Sequence, residues 1–574
     1  MSTVTPQNMI SKITRRTLLE TASLAALTPG VEPSSPADLH VCPKSKPPAR
    51  TLIAYRLDEL TSNPFDMRLT LHCLQGIVNR SAPRLFLVQD RYDELWLDWL
   101  RARGDIDDVQ WPELGQLFAR FLPEVKCMFI TDPAVPATFN VATMLASVQD
   151  GLVATPANAA QFNLPAGAYP DSSKRGMDLR RMHWKKDVEA YRWAYDQLRS
   201  SLSRQAVCFL DPATTALRDY LIEFRIPILW ICSPEDMKSN GQASFEEEYQ
   251  FAKNILLEWP PNIPCFGWPG DAVGSEAGIG EWDGVRLISQ CGKFEVCSAY
   301  DGYSPTVSNV SVHSGTTATY RQKPARALTL ERNKIYVAFT RSDGDGWNFQ
   351  RHYYRKLFGD PAHGRVPIGW QIGPTATDGI PDVLDFYYKH ATPNDYFINA
   401  LSGVGYIHED NYADHFPEKD REAIWREFLR LSGIYRQRID STALATFAEM
   451  EPSRLALLAG IPGIQSIFAN YGRTHLTKRE NLVTVVDGKP VFRSINGGAP
   501  GTPFTPEARQ AAAESVTAQI LHWKPQIFPA FQHIFLANWL TDMEMAQMIH
   551  QALGPQYVAV RPDQLVSLWQ QNRS

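Results

Sequence analysis

The chain has 574 residues, 44% apolar and 21% charged, the balance of an ordinary folded protein with room for about two to four domains. Lys and Arg total 57 against 62 Asp and Glu, a net −5, which excludes an electrostatic nucleic-acid binder; 15 Trp, 21 Tyr and 27 Phe exclude a disordered chain. No run of about 18 uninterrupted apolar residues occurs, since the best stretch, 455–469, is broken by Gly460, Pro462, Gly463 and Gln465, so a soluble protein without a transmembrane segment is expected.

Residues 1–30 read as a targeting segment. Thr14-Arg15-Arg16-Thr17-Leu18-Leu19 followed by the apolar stretch Ala22 to Leu27 resembles a twin-arginine export signal. The expected location is therefore periplasmic or extracellular, and the twin-arginine export machinery is an expected partner. Residues 31–50 hold five prolines and read as a stiff polar linker. The eight cysteines all precede residue 298, and none shows a C-x-x-C zinc or redox spacing. Cys291 and Cys297 flank an expected Gly292-Lys293 hairpin turn that would not pair them with each other.

Between 51 and 330 strand-like and helix-like patterns alternate. Strands are expected at 51–57, 84–89, 126–132, 206–211 and 226–232. Helices are expected through 67–78, 141–148, 184–202, 215–224 and 246–259. This is βα alternation, hence several small parallel-sheet, Rossmann-like units. Residues 260–284, rich in Gly and Pro, read as a long functional loop.

A second unit begins near 331. Strands are expected at 334–340, 367–372, 395–401, 443–447, 463–471, 491–495 and 533–539, with helices at 348–358, 381–390, 418–431, 505–523 and 541–553. Asp487-Gly488 inserts a hairpin before the sixth strand. Seven βα units predict an α/β fold closing as a (β/α) barrel-like C-terminal domain, with an open doubly wound sheet as the alternative.

In such a barrel the strands' C-terminal ends carry the chemistry. The first strand is followed by Asp343-Gly344-Asp345-Gly346-Trp347-Asn348 and the third by Gly403-Val404-Gly405-Tyr406-Ile407-His408-Glu409. Asn470, Tyr471 and His475 follow the fifth, and the seventh ends in Asn538-Trp539. Carboxylates, amides and flat rings on one rim are what sugar chemistry needs: an acid, a base or nucleophile, hydroxyl ligands and stacking surfaces. A zinc-protease H-E-x-x-H is excluded because position 412 is Tyr, and neither a nucleophile elbow nor a P-loop occurs.

The run Leu401-Ser402-Gly403-Val404-Gly405-Tyr406 resembles the signature of the bacterial GxGYxYP putative glycoside hydrolase family. So do Leu74-Gln75-Gly76-Ile77-Val78-Asn79-Arg80, Asn309-Val310-Ser311-Val312-His313-Ser314, Ser342 to Asp345, Pro367 to Trp370 and Thr392 to Phe397. The resemblance spans roughly 51–570 and implies small N-terminal α/β units before a barrel-like domain with a carbohydrate-related role. Two positions depart from the family pattern. His408-Glu409 stand where the signature ends Tyr-Pro, and Gly346 stands where an Asn is frequent.

These readings make Asp343 and Asp345 the preferred catalytic carboxylates, with Glu409 as a partner. Trp347, Asn348, Trp370, Gly403, Gly405, Tyr406, His408, Asn538 and Trp539 are the substrate-binding candidates. No cofactor and no metal are expected. The expected activity is hydrolysis of an oligo- or polysaccharide. The alternatives are a non-catalytic carbohydrate-binding protein and a metal-assisted hydrolase using the Asp343/Asp345 pair.

Overall fold

The computed structural model describes residues 39–62, 64–166, 176–232, 244–270, 278–447, 452–469, 482–496, 505–538 and 540–573. The Arg15-Arg16 pair lies outside them, as do Asn470, Tyr471, His475 and Trp539.

Three small parallel sheets come first. Strands β1 (Thr51–Arg56), β2 (Leu85–Val88) and β3 (Asp108–Gln110) lie in the order β2-β1-β3. Strands β4 (Cys127–Ile130), β5 (Gly151–Ala154) and β6 (Met177–Asp178) lie in the order β5-β4-β6. Strands β7 (Val207–Phe209), β8 (Ile228–Leu229), β9 (Pro264–Gly267) and β10 (Phe294–Cys297) lie in the order β10-β9-β7-β8. Short strands such as Leu-Phe-Leu-Val at β2 and Cys-Met-Phe-Ile at β4 are buried throughout, as parallel strands covered by helices should be. The covering helices carry their own stop signals. Asp90 accepts from the Tyr92 and Asp93 N–H groups to start the helix Arg91–Arg103, and Gly104 in the left-handed conformation ends it.

The C-terminal domain is a closed barrel of seven parallel strands. They are β11 (Ile335–Arg341), β12 (Ile368–Ile372), β13 (Asp395–Asn399), β14 (Ala443–Thr446), β15 (Ser466–Ala469), β17 (Lys489–Asn496) and β18 (Ala530–Leu536). Pairing of Phe339 to Arg341 in β11 with Ile368 to Trp370 in β12 closes the ring. The earlier half of β11, Ile335 to Val337, pairs instead with a short strand β19 (Tyr557–Ala559). The seam thus carries a short additional strand beside the earlier half of β11. The expected hairpin is present: β16 (Val483–Val486) runs antiparallel to β17, and Asp487 and Gly488 both have positive φ, as a two-residue hairpin turn demands.

Four expectations from local pattern are corrected. Residues 40–50 are not a free linker: Cys42 and Ser45 are buried, the Tyr220 hydroxyl donates to the Pro43 carbonyl, and Ser45 donates to Glu223. Residues 260–284 are not one long loop, because Pro264–Gly267 forms β9 and a helix begins at Glu281. Prolines at its start hid a four-residue strand whose neighbours on both sides are remote in sequence. Gly292-Lys293 is not a hairpin turn; it joins the helix Glu281–Gln290 to β10, and the Lys293 ammonium donates to the carbonyls of Trp259 and Cys291. Finally β3, β5, β6 and β19 appear where no strand was expected, each of two to four residues and stabilised by its sheet rather than by its own pattern. All eight cysteines are free and buried.

Candidate functional site

The site is built around the turn that follows β11. Asp343 adopts a left-handed backbone (φ 56°), which Asp tolerates better than most residues, and this turns the chain so that Asp343 and Asp345 leave the barrel rim together. Both are half-buried. Burial, then the charge of Asp345 and those of Asp301 and Glu281, hold the Asp343 carboxyl well above the usual carboxylate range. Burial pushes Asp345 up to about 7, and the charges of Glu281 and Asp301 push the same way.

Those two further carboxyls come from the third N-terminal sheet unit, which packs on the rim. Asp301 follows β10, is 7% exposed, and is pushed up to about 6 by burial against the opposing effect of its donors. The Tyr303 and Ser304 N–H groups donate to it at 3.0 and 2.9 Å, and the Asn348 side chain donates at 3.2 Å. Glu281 begins the helix Glu281–Gln290 and accepts at 3.1 Å from the Tyr406 hydroxyl. Neither was singled out by motif. The signal available was the Gly/Pro density of 260–284, which marked the stretch ending beside Glu281; Asp301 carried none.

The Gly-x-Gly-Tyr signature docks the barrel onto that unit. Tyr406 pairs antiparallel with Glu295 of β10 through backbone bonds of 2.8 and 3.0 Å. A Cβ at Gly405 would sit 2.5 Å from the Phe294 ring and 2.8 Å from the Glu295 carbonyl; one at Gly403 would meet the Ser432 hydroxyl at 2.4 Å. The two glycines therefore permit close approach, Gly405 to β10 and Gly403 to the helix Glu418–Arg438. Behind this bridge the Glu295 carboxyl is 1% exposed, and burial holds it well above the carboxylate range against the opposing effect of the Cys265 thiol.

The remaining candidates divide clearly. His408 is 3% exposed, its ring 4.1 Å from that of Trp282, and burial lowers its pKa to about 4, so it is a neutral imidazole at physiological pH. Asn348 is buried and holds Asp301 rather than lying open. Asn538 is buried, and its side chain donates to the Ser342 carbonyl, bracing the residue before Asp343. Trp347 packs against Phe266 and Tyr220, and Trp370 against Tyr354 and Phe358 while donating to Asp395 at 2.7 Å. With no exposed face, both rings are core, which corrects their assignment to substrate binding. Glu409 is a partner of Arg454, with bonds of 2.7 and 2.8 Å, and is 4% exposed. Held in that ion pair, it does not join the Asp343 cluster as expected. Among the described residues no group of three or more His, Cys, Asp and Glu could hold a metal ion. No described helix is long and apolar enough to cross a membrane.

Fold and site together define a multidomain α/β protein whose closed seven-strand barrel bears a carboxyl-rich rim covered by an N-terminal unit. The chain belongs to the GxGYxYP family. It matches the GxGYxYP_N 1st domain over 54–121, the GxGYxYP_N second domain over 125–202, the GxGYxYP third domain over 204–315 and the GxGYxYP putative glycoside hydrolase C-terminal domain over 333–570. No curated protein matches it. Among solved structures it is similar in fold to a putative hydrolase from Bacteroides thetaiotaomicron VPI-5482, with a TM-score of 0.73 at 18% identity, over 94% of this chain and 99% of that one.

Proposed function

We propose that the protein is an exported glycoside hydrolase acting on an oligo- or polysaccharide, with Asp345 as the proton donor. The observation that supports this reading most is the carboxyl at the barrel rim whose pKa is raised to about 7. Cleaving a glycosidic bond requires protonation of the leaving oxygen, and a carboxylic acid can do this at neutral pH only where burial and neighbouring charge hold its proton. Asp343, on the same turn, is itself held well above the usual carboxylate range by burial and by the charge of Asp345, so the pair holds a proton at the rim. A carbohydrate is the partner that such a rim suits.

Turnover of a panel of aryl glycosides and oligosaccharides, run with and without a chelator, tests the reading. Metal-independent release of sugar supports it. Binding without release points to a carbohydrate-binding protein, and chelator-sensitive release to a metal-assisted hydrolase. Export is tested separately: Arg15→Lys with Arg16→Lys should leave the protein in the cytoplasm, because the pair is what the export receptor reads. Unchanged periplasmic recovery removes the twin-arginine reading.

A further inference from the structure

The proposed acid needs a partner that its own loop does not supply. Glycosidases that work with two carboxyl groups place them on either side of the scissile bond, about 5–9.5 Å apart. Asp343 and Asp345 stand two residues apart on one turn, and Glu409 is held by Arg454. The facing wall is the third N-terminal unit, which offers Asp301 and Glu281. Asp301 is nearly buried and receives three donors, so it serves as a fixed charge.

Glu281 differs. It is half-buried at the start of a ten-residue helix, and its Oε1 accepts from Tyr406, whose backbone is itself fixed by the two bonds to Glu295. Its neighbour Trp282 remains 41% exposed although its ring leans on His408. An independent sign of a ligand is the imidazole of His408: its Nε2 is buried and has no partner among the described residues, a hydrogen-bonding atom left over beside an open aromatic ring. An unpaired polar atom in such a place costs free energy unless a ligand or water completes it.

We propose that Glu281 is the second catalytic carboxylate, opposed to Asp345, with Tyr406 as its positioning residue and Trp282 and His408 as the sugar-binding wall. The substrate then lies at the junction of the third N-terminal domain and the barrel, and neither domain alone holds a complete site. The inference rests on the hydrolase reading. In the step, the bond from the anomeric carbon to the leaving oxygen breaks with its electron pair going to that oxygen, which takes the Asp345 proton. Glu281 faces the anomeric carbon from the other side, water replaces the leaving group, and the water's proton returns to the carboxyl pair.

The test measures kcat, KM, sugar affinity and melting temperature on one set of variants, with Trp111→Ala, an exposed ring of the first domain, as control. Glu281→Gln should lower kcat by about 10²–10⁴-fold while affinity and melting temperature hold. Glu281→Ala should regain activity with added azide or formate. Tyr406→Phe should lower kcat at unchanged KM and move the acid limb of the pH profile, where the opposed carboxylate takes up its proton, and Trp282→Ala should raise KM. A Glu281→Gln protein with wild-type kcat overturns the assignment and leaves the hydrolase reading intact. If Glu281→Gln melts early, an unchanged kcat and pH profile in Tyr406→Phe overturns it instead. A wild-type protein that binds sugars but cleaves none overturns both.

Discussion

Two polar regions of this molecule look alike in one dimension and behave oppositely in three. One joins the first domain to the end of the third and, through Asp93, to the barrel: Gln75 donates to Asn309 at 2.7 Å, Asn79 to Ser311 at 2.9 Å, and Ser308 to Asp93 at 2.7 Å. Asp93 in turn pairs with Arg351 of the barrel at 2.8 Å, both side chains being fully buried. The other is the rim around Asp343, where carboxyls crowd one another without a cation among the groups that shift them most. In the first region opposite charges and matched donors hold domains together. In the second, like charges are kept close, which costs stability and yields a proton held near neutrality. Polar motifs in sequence mark both; only the partners tell a clamp from a site.

The sharpest way to break the contrast is to neutralise one member of each. Asp345→Asn should lower turnover by about 10²–10⁴-fold without loss of folding. Its effect on stability should depend on pH with a definite sign. A carboxyl whose folded pKa lies near 7, above its unfolded value, favours folding fully below the unfolded value, and that contribution is lost as pH rises through about 7. The Asn variant should therefore melt above wild type at pH 8 and show no such gain at pH 4, as scanning calorimetry at both values will show. A lower melting temperature at pH 8 would make Asp345 a structural turn residue. In wild type the same group predicts that turnover falls as pH rises through about 7, because the donor loses its proton.

Asp93→Ala probes the clamp. Removing Asp93 leaves the buried Arg351 with only the more exposed Asp90, at 3.1 Å, so the loss should fall below the about 3–5 kcal/mol typical of a buried charge left with no partner. Denaturant unfolding should show that loss, while the rate per folded molecule stays close to wild type. A large drop in rate at unchanged stability would mean the clamp belongs to the site.

Gly405→Ala sharpens the comparison where the two kinds of region meet. A methyl 2.5 Å from the Phe294 ring must push the signature loop off β10, a strain of about 1–3 kcal/mol. Because Tyr406 is the next residue, turnover should fall together with stability, whereas Gly488→Ala, where nothing lies within 4 Å, should leave turnover unchanged.

Much of this was legible in one dimension. The seven barrel strands announce themselves because apolar runs alternate with helical faces, and the Asp487-Gly488 hairpin because only such residues accept its backbone. The Asp-Gly-Asp turn at a strand end was legible too, since in parallel barrels those ends form the rim. Other decisions belonged to the tertiary structure alone. Trp347 and Trp370 read as binding rings until the fold buried them, for an aromatic side chain carries no mark of whether its face will be covered. Glu409 read as a catalytic partner until Arg454, 45 positions away, took it. Glu281 and Asp301 carry no motif, and they approach Asp345 only because a strand of the third unit bridges to Tyr406. The sequence by itself determined the periodicities, turns and glycines that local sterics and apolar patterning control. Which carboxyls share a field, and so which of them keeps its proton, was decided by the tertiary structure, because charge interaction and desolvation depend on distance through space and not along the chain.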